Sequence, residues 1–249
     1  MVWLPMPRQP RVMEHSDLTE ARLSSPEPRG AAVWQMGLIH RTIRTTLAEV
    51  KDLVPTVRAT AHRDVHLAHL DLHLTVLHHH HLGEDTHLWP LLLRRIHDEA
   101  PLIERMEADH LRIDHHVGQV REAATDWAAA APGDQITAFL LVSAMGDFLD
   151  VLEAHLDEEE RVVVPLLAQH ISAQEWEDFG KAMNVGIPRR ALPLLLGSVL
   201  DVASPVEARD FLADLPLPAR LMWRINGRRQ YSSSMNRVRF GPDPPSKGQ

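Results

Sequence analysis

The chain has 249 residues, 44% of them hydrophobic and 24% charged, with a formal net charge of −8. That length suits one sizeable domain, alone or with an appendage, and the acidic balance argues against bulk nucleic-acid binding. There is no cysteine, which excludes disulfides, thiolate zinc sites and iron–sulfur clusters.

The opening MVWLPMPRQP has no charged segment followed by a long apolar run, so a secretory signal is not expected. No stretch reaches roughly 18 uninterrupted apolar residues, so no membrane span is expected and the cytoplasm is the expected compartment. Residues 1–30 mix prolines and charges without a period and read as a flexible N-terminal arm. From about Ala31 the spacing of Trp34, Leu38, Ile43, Leu47, Val50 and Val54 predicts a helix ending near Pro55. A second helix is predicted from about His62 to Ile96, and a third from Pro101 to Ala131. The Pro132–Gly133–Asp134 break then leads to a fourth, from about Ile136 to His170. Four long amphipathic helices with short connections predict an all-α fold, an up-down antiparallel four-helix bundle over residues 31–172. Residues 173–249 read as a proline-rich, partly helical C-terminal appendage with a basic tail. From Arg220 onward it has six Arg and one Lys against one Asp. Such a tail could touch an acidic partner, nucleic acid or a membrane surface. Its simplest reading is a solvated tail that offsets an acidic bundle, and no protein partner can be named.

Histidine is concentrated in the middle of the chain: 13 of 17 histidines lie between His62 and His116. A repeat picks out some of them. His80 is followed by Glu84, Pro90, Leu91 and Leu92; His155 is followed at the same offsets by Glu159, Pro165, Leu166 and Leu167. A histidine and a glutamate four apart share one helix face and can offer nitrogen and oxygen to one small region. The first helix has one histidine, His40, lying 40 positions before His80, and the third has His110, 45 before His155. The set His40, His80, Glu84, His110, His155 and Glu159 suits two adjacent metal ions bridged by carboxylates. Imidazole and carboxylate without sulfur allow iron, manganese or zinc.

The order H…HxxxE…H…HxxxE, carried by those six residues over about residues 33–170, resembles the hemerythrin-like family, or HHE cation-binding domain. The resemblance implies an up-down four-helix bundle around a non-haem di-iron centre, with two iron ions held by the six residues. One position departs from the oxygen carriers of that family, which have a second histidine one turn after the first on the third helix. Here Asp114 stands there, followed by His115 and His116. The shorter set is similar to members associated with iron storage, redox or oxygen sensing, and peroxide or nitric-oxide chemistry. The expected partner is therefore a small gaseous or peroxide ligand. An oxidase or oxygenase with an organic substrate, closed over by the segment holding Trp223 and Tyr231, is one alternative. A metal- or redox-responsive regulatory protein is the other.

The remaining residues divide as follows. His78, His79 and His81 are expected at the rim or surface, and His62, His66 and His69 exposed. His73 is expected to line the bundle. His87, which shares the face of His80 and Glu84 at helical spacing, is expected to hydrogen-bond a metal ligand or, failing that, to be an extra ligand, and Glu107, three before His110, is an alternative ligand. Asp85, Glu158 and Glu160 are acids of which one could hydrogen-bond a ligating imidazole. Leu77, Leu88, Leu152 and Val163 are expected to limit water at the site. Each proline of the PLL segments is expected to bend its helix beyond the site.

Overall fold

The computed structural model describes residues 33–183 and 187–242, so the predicted arm at residues 1–30 lies outside the described residues. These residues form an all-α fold. Helix α1 (Trp34–Leu53) ends in a single 3-10 turn at Val54–Thr56, where Pro55 withholds its N–H. Helix α2 (Thr60–Gly83) passes through a π-helical turn (Glu84–Leu88) into the short α3 (Trp89–Leu93). Helix α4 (Ala100–Ala129) follows, with Pro101 in its first turn, where no hydrogen bond is lost. The predicted break holds: Gly133 takes a φ of 81°, and Asp134 caps α5 (Gln135–Glu158) by accepting from the Thr137 N–H at 2.9 Å. Helix α5 in turn runs through a π turn (Glu159–Val163) into α6 (Val164–His170).

The two prolines explain the two π turns. A proline ring clashes with the carbonyl four residues back and cannot donate to it. The backbone widens instead, and the Trp89 and Val164 N–H groups reach back five residues to the carbonyls of Glu84 and Glu159. The departure from regular α-helix therefore begins at each glutamate rather than beyond it.

The long helices pack in a ring: α1 on α2, α2 on α4, α4 on α5, and α5 back on α1. Their inward faces make two apolar clusters. The larger holds Leu47, Leu74, Trp127, Phe148 and Leu152; the second, at one end, holds Leu88, Trp89, Met106, Leu167 and Trp176. Burying each large side chain contributes about 1.5–3 kcal/mol. The stretch Gln135–His170 is long and apolar enough to cross a membrane by composition alone. Its apolar residues Leu141, Met145, Phe148 and Leu152 belong to the central cluster.

The C-terminal region is more regular than expected. It forms α7 (Ala173–Met183), α8 (Leu192–Val202), α9 (Pro205–Asp214) and α10 (Leu217–Met222), and α10 continues through a π turn (Trp223–Gly227) into α11 (Arg228–Phe240). The basic segment is thus a helix docked on the ring. His62 Nε2 lies 2.7 Å from the Val238 carbonyl, and Arg239 pairs with Glu49 at 2.5 Å. Close approach of α8 to α11 requires Gly197, since a Cβ there would strike the Tyr231 ring.

That docking corrects the expectation for His62, His66 and His69. All three are buried, and His73 with them. His66 Nε2 lies 2.9 Å from the Val50 carbonyl.

One buried cation closes the ring. Arg63 reaches the last carbonyls of α4, with Nη1 donating to Trp127 and Ala130 at 2.6 and 2.7 Å and Nη2 to Ala131 at 3.0 Å. It satisfies carbonyls that a helix end otherwise leaves unpaired, and it complements the negative end of the helix. Arg63→Met keeps the stem but removes these bonds. It is expected to cost about 2–4 kcal/mol, read as a fall in melting temperature with the helical circular-dichroism signal below the transition unchanged.

Candidate metal centre

A polar layer lies between the two apolar clusters, built from all four long helices. His40 comes from α1, His80 and His81 from α2, His110 from α4 and His155 from α5, while Glu84 and Glu159 open the two π turns. All seven side chains are buried, the two glutamates completely. Four of them, His40, His80, Glu84 and Glu159, bring one donor atom each within 4.8 Å of one another, and so do His81, His110 and His155.

The glutamates join the two groups. Glu84 directs Oε1 to His80 Nε2 at 3.2 Å and Oε2 to His110 Nε2 at 3.6 Å. Glu159 Oε2 lies 3.4 Å from His40 Nε2 and 3.8 Å from His155 Nε2. The imidazoles crowd one another: His40 and His80 bring their Nε2 atoms to 3.0 Å, and His81 stacks on His110 with centroids 4.1 Å apart.

Acids outside the layer orient two of the rings. His40 Nδ1 lies 3.0 Å from Glu160 Oε1, and His110 Nδ1 lies 2.7 Å from Asp85 Oδ1. With Nδ1 as donor in each pair, Nε2 keeps its lone pair and faces the cluster. The arrangement crosses over between the repeats, because each acid follows the glutamate of one copy and supports the lone histidine of the other. Arg44 clamps the Glu160 side, donating to Glu160, Asp157 and Glu153 at 2.5, 2.7 and 2.9 Å. Hydrogen bonding from His40, then from Arg44, holds the Glu160 carboxyl down at about 2. Asp85→Asn or Glu160→Gln is expected to weaken metal uptake about 10–100-fold, measured by competition with a chelator, with the melting temperature of the metal-free protein nearly unchanged.

Electrostatics in the layer favour a cation. Burial holds His80 and His81 well below the ordinary imidazole range, with neighbouring imidazoles adding to the effect, and it holds His155 down to about 3. Burial, then the neighbouring Glu159, pushes the Glu84 carboxyl well above its usual range. With His80, His81 and His155 held neutral by burial, the layer around the two buried carboxyl groups is short of positive charge.

All six residues singled out in the sequence meet in this layer. His81, expected at the rim, joins them as a correction: it is 3% exposed, and neither of its ring nitrogens has a hydrogen-bond partner. It was legible on another pattern, since Leu70, Leu74, Leu77, His81, Glu84 and Leu88 follow the 3–4 spacing of a buried stripe. The alternatives fall outside. Glu107 is exposed, as is Asp114, which faces His78 at the surface. His87 is exposed because the π turn rotates it off the face that ordinary helical spacing would give it. His78 is exposed and His79 half-buried; neither is in the cluster. Of the three candidate acids, Asp85 and Glu160 bond imidazoles, whereas Glu158 faces Arg105.

The donor set fits a metal. Both oxygens of Glu84 and of Glu159, both nitrogens of His81 and of His155, and His110 Nε2 are buried without a hydrogen-bond partner. Buried polar atoms are rarely left so, and here they converge on one region. A helical ring with inward histidines and carboxylates at this depth defines a metal-binding helical protein. The sequence profile of the hemerythrin HHE cation-binding domain matches residues 32–167, and the chain belongs to that family. Comparison with curated proteins and with solved structures gave no match.

Proposed function

We propose that this chain is a non-haem di-iron protein that binds or reacts with a small molecule, either dioxygen, a peroxide or nitric oxide, or that it sequesters iron. The observation carrying this reading is the placement of Glu84, whose two oxygens face two different histidine groups. A carboxylate so placed suits a bridge between two ions. His40 and His80 would hold one ion; His81, His110 and His155 would hold the other; Glu159 would serve both. Iron held by these residues would supply redox chemistry toward a small ligand.

The chain's own residues do the rest. Asp85 and Glu160 keep two Nε2 atoms aimed inward. Leu77 and Leu152 belong to the apolar cluster on one side of the layer, and Leu88 and Val163 to the cluster on the other; each is at most 1% exposed. Water is thereby kept from the layer, which strengthens every charge interaction in it.

Metal content and visible absorption of protein prepared without oxygen, before and after exposure to air and to peroxide, test the reading. The Glu84→Ala, Glu159→Ala double variant is run beside it. Two irons per chain are expected, with an absorption change on exposure that the double variant lacks. Protein that takes up manganese or zinc in preference to iron, or iron equally well in the variant, overturns the assignment.

A further inference from the structure

We propose that the C-terminal helices carry a second site, a groove between α11 and the start of α8 that binds a small ligand through a diphosphate or triphosphate group. Residues 217–241 contain six arginines and no aspartate or glutamate. Three arginines, Arg190, Arg229 and Arg237, line one groove of about 410 Å³ together with Asn226, Gln230 and Ser233. The groove continues along α11 past Arg229, Ser233 and Arg237 to Asn236, and among the described residues no acidic side chain lines either part.

The arginines of this chain divide into paired and unpaired ones, and outside the groove Arg58, Arg94 and Arg161 are also without a carboxylate among the described residues. On the ring, Arg41, Arg44, Arg95, Arg105, Arg112 and Arg121 each meet a carboxylate, and so does Arg239 on α11. Arg190, Arg229 and Arg237 meet none among the described residues, although acids outnumber bases in the chain by 34 to 26. Guanidinium groups gathered around one groove repel one another until an anion joins them, and their planar forks match phosphate oxygens.

Spacing and size choose the ligand class. Arg229 and Arg237 are two helical turns apart, about 12 Å along the axis at the α-helical rise, with Ser233 between them. Two or three linked phosphates offer oxygens to both guanidinium groups at once. Asn226 and Gln230 add amides that can hydrogen-bond the rest of the molecule. The groove volume lies in the small-ligand range. A long nucleic acid would extend past the groove over a chain whose net charge is −8.

The test uses full-length, metal-loaded protein titrated with inorganic pyrophosphate by calorimetry at low and moderate salt. One molecule of pyrophosphate per chain is expected to bind, more weakly as salt rises. The Arg190→Ala, Arg229→Ala, Arg237→Ala variant is expected to bind it at least about tenfold more weakly, with metal content and melting temperature unchanged. Should that variant fold poorly, the single charge reversal Arg229→Glu decides by the same tenfold criterion. No heat of binding from the unmodified protein, or equal affinity in the variants, overturns the proposal. So does binding of a single-stranded oligonucleotide that pyrophosphate cannot displace, which would make the surface a nucleic-acid site.

Discussion

Glu84→Gln is expected to strip the chain of bound metal while making the metal-free protein more stable. Glu84 is fully buried against a second buried carboxylate, with no hydrogen-bond partner for either of its oxygens. Its carboxyl is pushed well above its ordinary value of 4.5, by burial first and by Glu159 second. As pH rises from 4.5 toward that raised value, the unfolded chain has released a proton that the fold still holds, so the metal-free fold loses stability across that window. Glutamine keeps the volume and cannot ionise, so the loss on the alkaline side is removed. A gain of about 1 kcal/mol would raise the melting temperature by roughly 2–4 °C in a protein of this size. The acid side runs oppositely: His155, held down to about 3, makes the fold lose stability as pH falls from 6.5 toward that value, in both proteins.

Metal uptake should move the other way. Loss of an orienting partner outside a metal site costs about 10–100-fold in affinity, and loss of a carboxylate that faces both histidine groups should cost more than the upper end of that range. Calorimetric melting of chelator-treated protein between pH 5 and 8, paired with metal analysis of the loaded protein, checks both effects. A buried structural carboxylate would give one sign in both measurements. Opposite signs are what a residue retained for a metal requires. A variant that is less stable without metal, or that keeps its full metal content, counts against Glu84 as a bridging residue.

The site residues are most legible in the sequence where two copies of one motif can be compared. His80 with Glu84 and His155 with Glu159 recur in the same helical register, and His40 and His110 each precede one pair at nearly equal distance. The acid after each glutamate was equally visible, though not its partner, because the hydrogen bonds cross from one copy to the other. Features without a counterpart were not legible by that route. The residue after His80 is His81, but the residue after His155 is Leu156, buried in the central apolar cluster. A repeat search therefore discards His81 as one of a histidine run. The burial of His62, His66 and His69 was missed for a different reason: what covers this end of α2 includes α11, which is far away in sequence and reads as a solvated basic stretch. Such packing depends on tertiary contacts such as Tyr231 against Gly197, and no local period announces them.

His81 is therefore the residue whose replacement discriminates best. His81→Leu gives α2 the residue that α5 carries at the matching place, so the packing cost is small. Without metal, the variant is expected to melt at or slightly above the temperature of the parent chain, since an imidazole with both nitrogens unpaired is exchanged for an apolar side chain. With metal, the group of His81, His110 and His155 loses one of its three nitrogens, while His40, His80, Glu84 and Glu159 keep their full set. If the proposed two-metal centre holds, bound metal should fall from two ions per chain toward one, and the stabilisation that metal adds should shrink accordingly. His78→Ala is the control, an exposed member of the same histidine run that faces Asp114 at the surface. It should leave metal content and melting unchanged. If His81→Leu keeps two ions bound as tightly as the parent chain does, His81 is a packing residue stacked on His110, and the second metal position rests on His110, His155 and the glutamates alone. If it loses both, the two positions fill only together, and the two histidine groups form one cooperative site.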